Sequence, residues 1–335
     1  ERGAEKYLPL YEAKMVHHFD HRWATYEGLE TRDVSDGAKQ DAEHQILSRY
    51  WLPIATVASS TPVAWKRPWL MGWRDVCRST DARTIIAAPI PHVAVGDKYL
   101  LRFPSAPGCD LLSHLADTAS FAHDFVARQK LGGTAAKYFV VRQLPHIPPS
   151  NAPRGASGIE AMAVAARVLE LSATADDISP FSRDLWPEGD GAVFRYDPER
   201  RFEIRCEIDA AFFHLYLGTA EDWRAKTSPE LLKALPTPRD AVAYIMETFP
   251  IVKKKDIAAH GVYRTKDRII ALYDQLQSCL ASNTPFVSAL TPPPGPPTNA
   301  DGTFAKLPPW PKGAPRPANY PIHLHPPITH RKGSN

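Results

Sequence analysis

Residues 109–149 read CDLLSHLADTASFAHDFVARQKLGGTAAKYFVVRQLPHIPP, and this stretch predicts a helix, a glycine turn and a strand in that order. Asp110 is a suitable N-cap, and apolar residues at three- and four-residue steps predict one buried face of a helix that ends near Lys130. Gly132-Gly133 predicts a turn with a positive φ in at least one residue, because glycine has no Cβ. Tyr138–Val141 predicts a strand, since all four residues are aromatic or β-branched.

The predicted turn is surrounded by cations. Arg128, Lys130, Lys137 and Arg142 occur within fifteen residues that contain no acidic residue, and the glycines leave backbone N–H groups open. That combination suits a polyanion. The alternative is a solvated helix end, where basic side chains interact favourably with the helix dipole. The residues by themselves leave both interpretations open.

The segment SFAHDFVARQKLGGTAAKYFVVRQLPHIPP, residues 120–149, resembles the closing part of target-recognition regions in adenine-specific DNA methyltransferases of restriction-modification systems. The shared features are a helix with Ser, Phe and Arg, a Gly-Gly turn, and a strand that ends in Gln-x-Pro. The resemblance implies contact with double-stranded DNA. The residues it places at the DNA are Arg128, Lys130, Gly132, Gly133, Lys137 and Tyr138.

Length and composition bound the class of protein. A chain of 335 residues with 44% hydrophobic residues predicts two folded units plus tails. The net charge of +3 means that any basic surface must be local. No apolar stretch is long enough for a membrane span or a secretory signal, and the four cysteines lie far apart without a Cys-x-x-Cys pair. We therefore expect a soluble cytoplasmic protein without membrane contact. Its start at Glu1 indicates part of a longer protein.

Residues 1–53 contain a second recognisable piece, YLPLYEAKMVHHFDHRWATY followed by SRYWLP. It resembles the segment by which proteins of the same family leave the methyltransferase domain and enter target recognition. The resemblance implies that residues 1–53 connect to an upstream methyltransferase domain. The matching positions are Tyr11, Glu12, Lys14, Phe19, Asp20, His21, Arg22, Arg49, Tyr50 and Trp51.

A metal site is the alternative for this piece. His17 and His21 are four residues apart, a spacing that puts two imidazoles on one face of a helix. The His-Glu-x-x-His pattern of zinc proteases is absent, and no third ligand is evident. A hydrogen-bonded structural cluster is the favoured interpretation, so no metal ligand is predicted.

Residues 54–108 predict strands and turns in which tryptophans and cations alternate. Arginine pairs with phosphate or guanine, and aromatic faces stack on bases, so the alternation suits DNA. Ordinary sheet packing with stacked guanidinium groups is the alternative. The stretch from Trp73 to Thr84 resembles the family's "Arg-Asp-Val…Thr…Arg-Thr" signature and precedes two predicted strands, 85–90 and 98–103. The cations assigned to DNA here are Lys66, Arg67, Arg74, Arg78 and Arg83.

Beyond residue 149 the periodicity predicts helices at 159–171, 199–217, 241–249 and 263–280. RCEIDAAFFHLYLG and YIMETFPIVKKKDIAAHGVYRTKDRIIALYDQL resemble the family's C-terminal extension. Lys253, Lys254 and Lys255 within it either touch phosphate or form a solvated charge run, the simpler interpretation. From Pro285 prolines predict an irregular or polyproline tail, in which Trp310, Tyr320, Ile322 and Leu324 are candidates for pinning it to the helices.

The sequence contains neither a glycine-rich cofactor loop after a strand nor an Asn/Asp-Pro-Pro-aromatic loop for the flipped adenine. Ser179-Pro180-Phe181 is interpreted as a helix start. We therefore expect no cofactor, metal or catalytic residue in this chain and no methyl transfer by it alone. S-adenosylmethionine is expected in the missing catalytic domain.

The predicted architecture is α+β. An entry segment (1–53) leads to a target-recognition domain with a mixed sheet (54–150), a helical extension (151–284) and a proline-rich tail (285–335). The predicted function is sequence-specific DNA recognition for an adenine-specific DNA methyltransferase. The alternative is a non-catalytic scaffold that binds other subunits of a bacterial defence complex.

Overall fold

Strands dominate the first hundred residues and helices dominate the rest, which makes the chain an α+β fold. The structure is a computed structural model and describes residues 5–78, 81–147, 160–299, 303–307 and 323–325. Ser79 and Thr80 of the predicted signature lie outside these ranges, as do the proline pair at 148–149 and the tail residues Trp310, Tyr320 and Ile322.

The strands form two three-stranded sheets and one hairpin within the described residues. In the first sheet β1 lies between β4, which is antiparallel to it, and β7, which is parallel. The hairpin joins β2 and β3. In the third group β5 lies between β6 and β8, both antiparallel to it. The strands are Tyr7–Tyr11 (β1), Ala24–Glu27 (β2), Glu30–Asp33 (β3), Trp51–Pro53 (β4), Trp69–Arg74 (β5), Ala87–Pro91 (β6), Ala94–Val95 (β7) and Tyr99–Arg102 (β8).

The β6-β5-β8 sheet contains the two strands predicted at 85–90 and 98–103, each shortened at its start. Its central strand β5 is buried along almost its whole length, including both tryptophans. Trp69 and Trp73 satisfy their indole N–H groups internally, on the Asp184 carboxylate and on the carbonyl of Ala136. These tryptophans are therefore core residues, and their rings are unavailable to stack on bases.

The helices account for most of the chain beyond residue 107. Those at 161–172, 198–217, 238–247 and 264–282 confirm the four that the periodicity predicted. The helices are Asp36–Lys39 (α1), Ile54–Ser60 (α2), Gly108–Ala119 (α3), Phe121–Lys130 (α4), Tyr138–Val141 (α5), Ala161–Ser172 (α6), Ser179–Leu185 (α7), Pro198–Leu217 (α8), Ala220–Lys226 (α9), Pro229–Ala234 (α10), Pro238–Glu247 (α11), Pro250–His260 (α12) and Arg264–Ser282 (α13). Single 3₁₀ turns lie at Ala13–Met15, Asp176–Ile178 and Pro187–Gly189.

The long helix predicted from Asp110 to Lys130 is wrong in one respect, because it is two helices. Ser120 has an extended backbone (ψ 152°) and its hydroxyl accepts the N–H of His123, so it ends α3 and caps α4. Asp110 is not the N-cap either: α3 begins at Gly108 after Pro107. The predicted end at Lys130 is confirmed.

The strand predicted at Tyr138–Val141 is also wrong, since these residues form the short helix α5. The chain makes its sheet-like contact earlier, where the Ala136 N–H donates to the carbonyl of Asp75 and the Cys77 N–H to that of Thr134. The ring of Tyr138 packs edge-on against Trp73, and its hydroxyl donates a hydrogen bond to the carbonyl of Leu101. Tertiary contacts override the β-propensity of this segment.

The positive φ predicted for Gly132-Gly133 is wrong. The left-handed glycines of the described chain lie elsewhere, and a Cβ at Gly132 or Gly133 would meet nothing within 4 Å. Helix α4 ends at Lys130, and its C-cap Leu131 has an extended backbone (φ −84°, ψ 103°). The turn therefore needs no special backbone conformation.

Helix α8 joins the two hydrophobic clusters of the chain. Ile204, Ile208 and Phe212 belong to the cluster that also contains β5 and α3, whereas Cys206 and Phe213 pack with α11 and α13. A helix that is apolar on two faces is buried between layers.

Two further sequence predictions concern Leu324 in the tail and the helix start at Ser179-Pro180-Phe181. Leu324 is fully buried and pairs with Phe194, as the pinning hypothesis requires. Pro180 lies in the first turn of α7, which confirms the helix start. Residues 54–60, expected to be a strand or turn, form α2.

Among the described helices, none has the length and apolarity that crossing a lipid bilayer demands.

Candidate nucleic-acid interface

The two stretches that the sequence assigned to DNA meet in the structure. Residues 75–77, which continue β5, run antiparallel to residues 134–136, with Val76 opposite Ala135. This pairing places Arg78 next to the loop that contains Gly132 and Gly133. The backbones of the two stretches therefore meet at this loop.

The accessible groups at this junction are few. Arg78 and Lys130 are exposed, and neither side chain has an ion pair within the described residues. Gly132 and Gly133 are exposed, and in the described chain their N–H groups donate to no backbone carbonyl. Within the described residues, two cations without an ion pair and open amide groups thus lie on the surface around this pairing, as a polyanion site requires. We call Arg78, Lys130, Gly132 and Gly133 the junction site.

Arg83 and Arg128 point inward and serve the fold. Both lie beside the fully buried carboxylate of Asp124, at 3.2 Å for Arg83 Nε and 3.9 Å for Arg128 Nη2. The same carboxylate accepts the N–H groups of Thr84 and Ile85 at 2.9–3.1 Å. Arg128 also donates to the carbonyls of Asp81 and Thr248 and stacks over Phe249 at 3.9 Å. Burial lowers the pKa of the Arg128 guanidinium.

Three further cations of the predicted set are paired with groups of the protein. Arg67 binds the carboxylate of Asp184 at 2.5 Å. Lys137 binds that of Asp75 at 2.6 Å with its side chain half exposed. Arg74 donates to the carbonyl of Val16 at 2.6 Å, and desolvation lowers its pKa. Lys66 is exposed and has no ion pair within the described residues.

Apolar side chains are exposed around the junction site. Phe139 is 67% exposed, Val76 55% and Tyr138 43%. Exposed aromatic and aliphatic groups beside cations are compatible with contacts to bases or sugars, and equally with a protein partner. Tyr138, assigned to DNA by resemblance, is thus on the surface although its hydroxyl is already bonded.

The segment His17–Trp23 forms a second polar centre that the sequence indicated only by its unusual composition. His17 and Asp20 exchange backbone hydrogen bonds around Phe19, whose φ of +56° is left-handed. Arg22 is fully buried and donates to four carbonyls, two of which belong to Lys39 and Thr174. The segment is therefore a tight turn, and the helical arrangement needed for a His17–His21 metal pair is absent.

The buried charges of this segment are compensated. Asp20 accepts from Lys39 Nζ at 2.7 Å, and the Lys39 charge contributes to lowering the pKa of that carboxyl against the effect of burial. His21 binds Asp177 at 2.7 Å. Burial and the charges of nearby arginines lower the pKa of His17 to about 3 and that of His18 well below its usual range. Within the described residues no group of His, Cys, Asp or Glu is arranged to hold a metal ion.

Comparisons with protein-family models, with characterised proteins and with solved structures find no match for this chain.

Proposed function

We propose that this chain is a DNA target-recognition region of an adenine-specific DNA methyltransferase and that the junction site contacts duplex DNA. The methyl group would come from S-adenosylmethionine bound by an upstream catalytic domain, and this chain would select the sequence. The proposal rests on the sequence resemblance and on one observation, the antiparallel pairing of residues 75–77 with 134–136. That pairing places Arg78 beside the loop that follows Lys130, a cation 52 positions further along the sequence.

Most of the arginines assigned to DNA are already bonded inside the protein. Arg74, Arg83 and Arg128 have partners inside the protein, so moving them to DNA would leave buried carbonyls or a buried carboxylate unpaired. Arg78 has no such partner in the described residues. Since a guanidinium matches the acceptors of guanine and a lysine acts mainly as a point charge on phosphate, Arg78 is proposed to read a base and Lys130 a phosphate.

The test is duplex binding across a salt series with the cognate site found first by selection from randomised duplexes. Lys130→Ala should weaken binding to all sequences and reduce the salt slope by about one unit. Arg78→Ala should lose about 1–3 kcal/mol on the cognate site and much less on unrelated sequences. Lys233→Ala is the matched control, because Lys233 is an exposed cation on α10 without a partner in the described chain.

The opposite outcome would favour a scaffold for other subunits of a defence complex. The exposed side chains of Val76 and Phe139 give that alternative a specific basis. It becomes the better function if the selection enriches no sequence and the Arg78 and Lys130 variants bind DNA like the Lys233 variant.

A further inference from the structure

A cavity of about 280 Å³ opens between the His17–Trp23 segment and helices α8 and α12. It is separate from the junction site, and no residue of that site lines it. Its walls combine cations with aromatic rings: Arg83, Arg205 and Lys255 on one hand, and Trp23, Phe121 and Phe202 on the other. The volume is just below the usual range for small-molecule sites.

His18 lines this cavity and has an unused hydrogen-bonding capacity. It is 5% exposed, and neither ring nitrogen has a partner within the described residues. Buried polar atoms are normally satisfied, so an imidazole left open toward a cavity indicates a ligand or water there. The left-handed φ of Phe19 next to it is a costly conformation for a non-glycine residue, and such residues concentrate at binding sites.

Arg205 is the charge at the centre of the site. It lines this cavity and a second one of about 260 Å³ that shares His17, His18 and Trp23 with it, and it is exposed. Its side chain donates to the carbonyl of Arg201 at 3.3 Å and has no ion pair with an acid in the described chain. Surrounding protein and the neighbouring Arg201 charge lower its pKa. The carboxylate of Asp209 interacts with Arg205 electrostatically without forming an ion pair. A partly desolvated guanidinium whose N–H groups are not bonded to an acid is a binding group for an anion.

The carboxylates on the cavity wall are already engaged. Asp209 accepts the N–H of Phe121 at 2.7 Å, and Asp256 accepts the N–H of Thr265 at 2.6 Å. Neither makes an ion pair with Arg205 or Lys255. Lys255 is exposed at the α12 side of the cavity, without a partner in the described residues, so it adds to the positive charge there.

We propose that this cavity binds a nucleotide, with the phosphate on Arg205 and Lys255 and the base between the aromatic walls and His18. A phosphate needs the free guanidinium, and a base needs apolar walls with a few polar groups. The nucleotide is either free or part of a nucleic-acid strand. The proposal does not depend on DNA reading by the junction site.

The test is isothermal titration calorimetry of the intact chain with adenosine monophosphate, inorganic phosphate and adenosine. We expect saturable binding of adenosine monophosphate that is at least about tenfold tighter than that of either other probe. Arg205→Gln should weaken it by at least about tenfold, because a charged hydrogen bond is lost. Lys255→Ala should weaken it by a smaller factor, and the adjacent exposed Lys254→Ala, which does not line the cavity, should leave it unchanged.

Several outcomes would overturn the proposal. They are the absence of saturable binding, equal affinity in the Arg205 variant with its fold retained, or adenosine or phosphate binding as tightly as the nucleotide. Competition by a short single-stranded oligonucleotide would identify a strand as the source of the nucleotide, and its absence a free one. Junction-site variants should bind adenosine monophosphate normally, so this proposal and the proposed function fail separately.

Discussion

At the scale of single residues, Asp124 shows how this protein uses its cations. One buried carboxylate holds the guanidinium of Arg83, lies near that of Arg128, and accepts the backbone N–H groups of Thr84 and Ile85. Two arginines that the sequence assigned to DNA are thereby committed to attaching the segment before β6 to helix α4. A buried charge keeps its place only when such partners compensate its desolvation.

We predict that Asp124→Asn lowers the free energy of unfolding by about 3 kcal/mol, since it leaves the Arg83 guanidinium without its counter-charge. Asp97→Asn is the matched control. Its side chain is 82% exposed and pairs with Lys98 on the surface, so no measurable change in stability is expected. Urea denaturation measures both. Equal stability of the Asp124 variant and the wild type would refute the bridging role.

At the scale of elements, strands β5 and β8 approach so closely that only glycine fits at Gly72, whereas the Gly132-Gly133 turn has room for a side chain. A Cβ at Gly72 would lie 2.3 Å from the carbonyl oxygen of Leu100 and 2.9 Å from the ring of Tyr99. The strands would have to separate. At Gly132 and Gly133 a Cβ meets open space, and neither residue is left-handed.

We therefore predict opposite effects for alanine at these glycines. Gly72→Ala should destabilise by about 2 kcal/mol or more through overpacking. The double variant Gly132→Ala, Gly133→Ala should be unchanged or more stable by up to about 1 kcal/mol, because alanine restricts the unfolded chain. Thermal melting distinguishes them. A large loss of stability in the double variant would restore the strained turn that the sequence suggested.

At the scale of the whole molecule, partly buried histidines make stability depend on pH. Desolvation, the largest cause, lowers the pKa of His17 to about 3 and that of His114 to about 2. In the unfolded chain both return to about 6.5. The unfolded state then binds more protons below pH 6.5, so the folded state loses stability as the pH falls through that value. Asp209 opposes this, because burial raises its pKa to about 6 and favours the protonated native carboxyl at low pH.

We predict that the free energy of unfolding is lower at pH 5.5 than at pH 7.5, by about 1.4 kcal/mol for each histidine that stays neutral in the folded state, partly offset by Asp209. His17→Gln, which carries no titratable group, should reduce the difference by about 1.4 kcal/mol. Urea denaturation at the two pH values checks this. The same pH dependence in the variant would mean that His17 is charged or exposed in the native state.

Local sequence patterns predicted four of the eight helices described beyond residue 160, the strands on either side of β5, and the end of α4 at Lys130. These features depend on hydrophobic periodicity and on residues that end a helix, and both can be recognised within a short stretch of sequence. Ser120 was a readable signal as well: a capping residue inside an apolar pattern marks a break between two helices.

Which cations lack an internal partner in the described chain depends on tertiary contacts. Arg74, Arg78, Arg83 and Arg128 look alike in the sequence, yet three have partners inside the protein and Arg78 is exposed. The cavity around His18 and Arg205 joins residues almost 190 positions apart, which no local pattern encodes. Tertiary contacts are also the reason why Tyr138–Val141 forms a helix and not the predicted strand. Strand pairing, burial and ion pairs involve residues from distant parts of the chain. Their contributions to the free energy of folding exceed the small differences in secondary-structure propensity between residues.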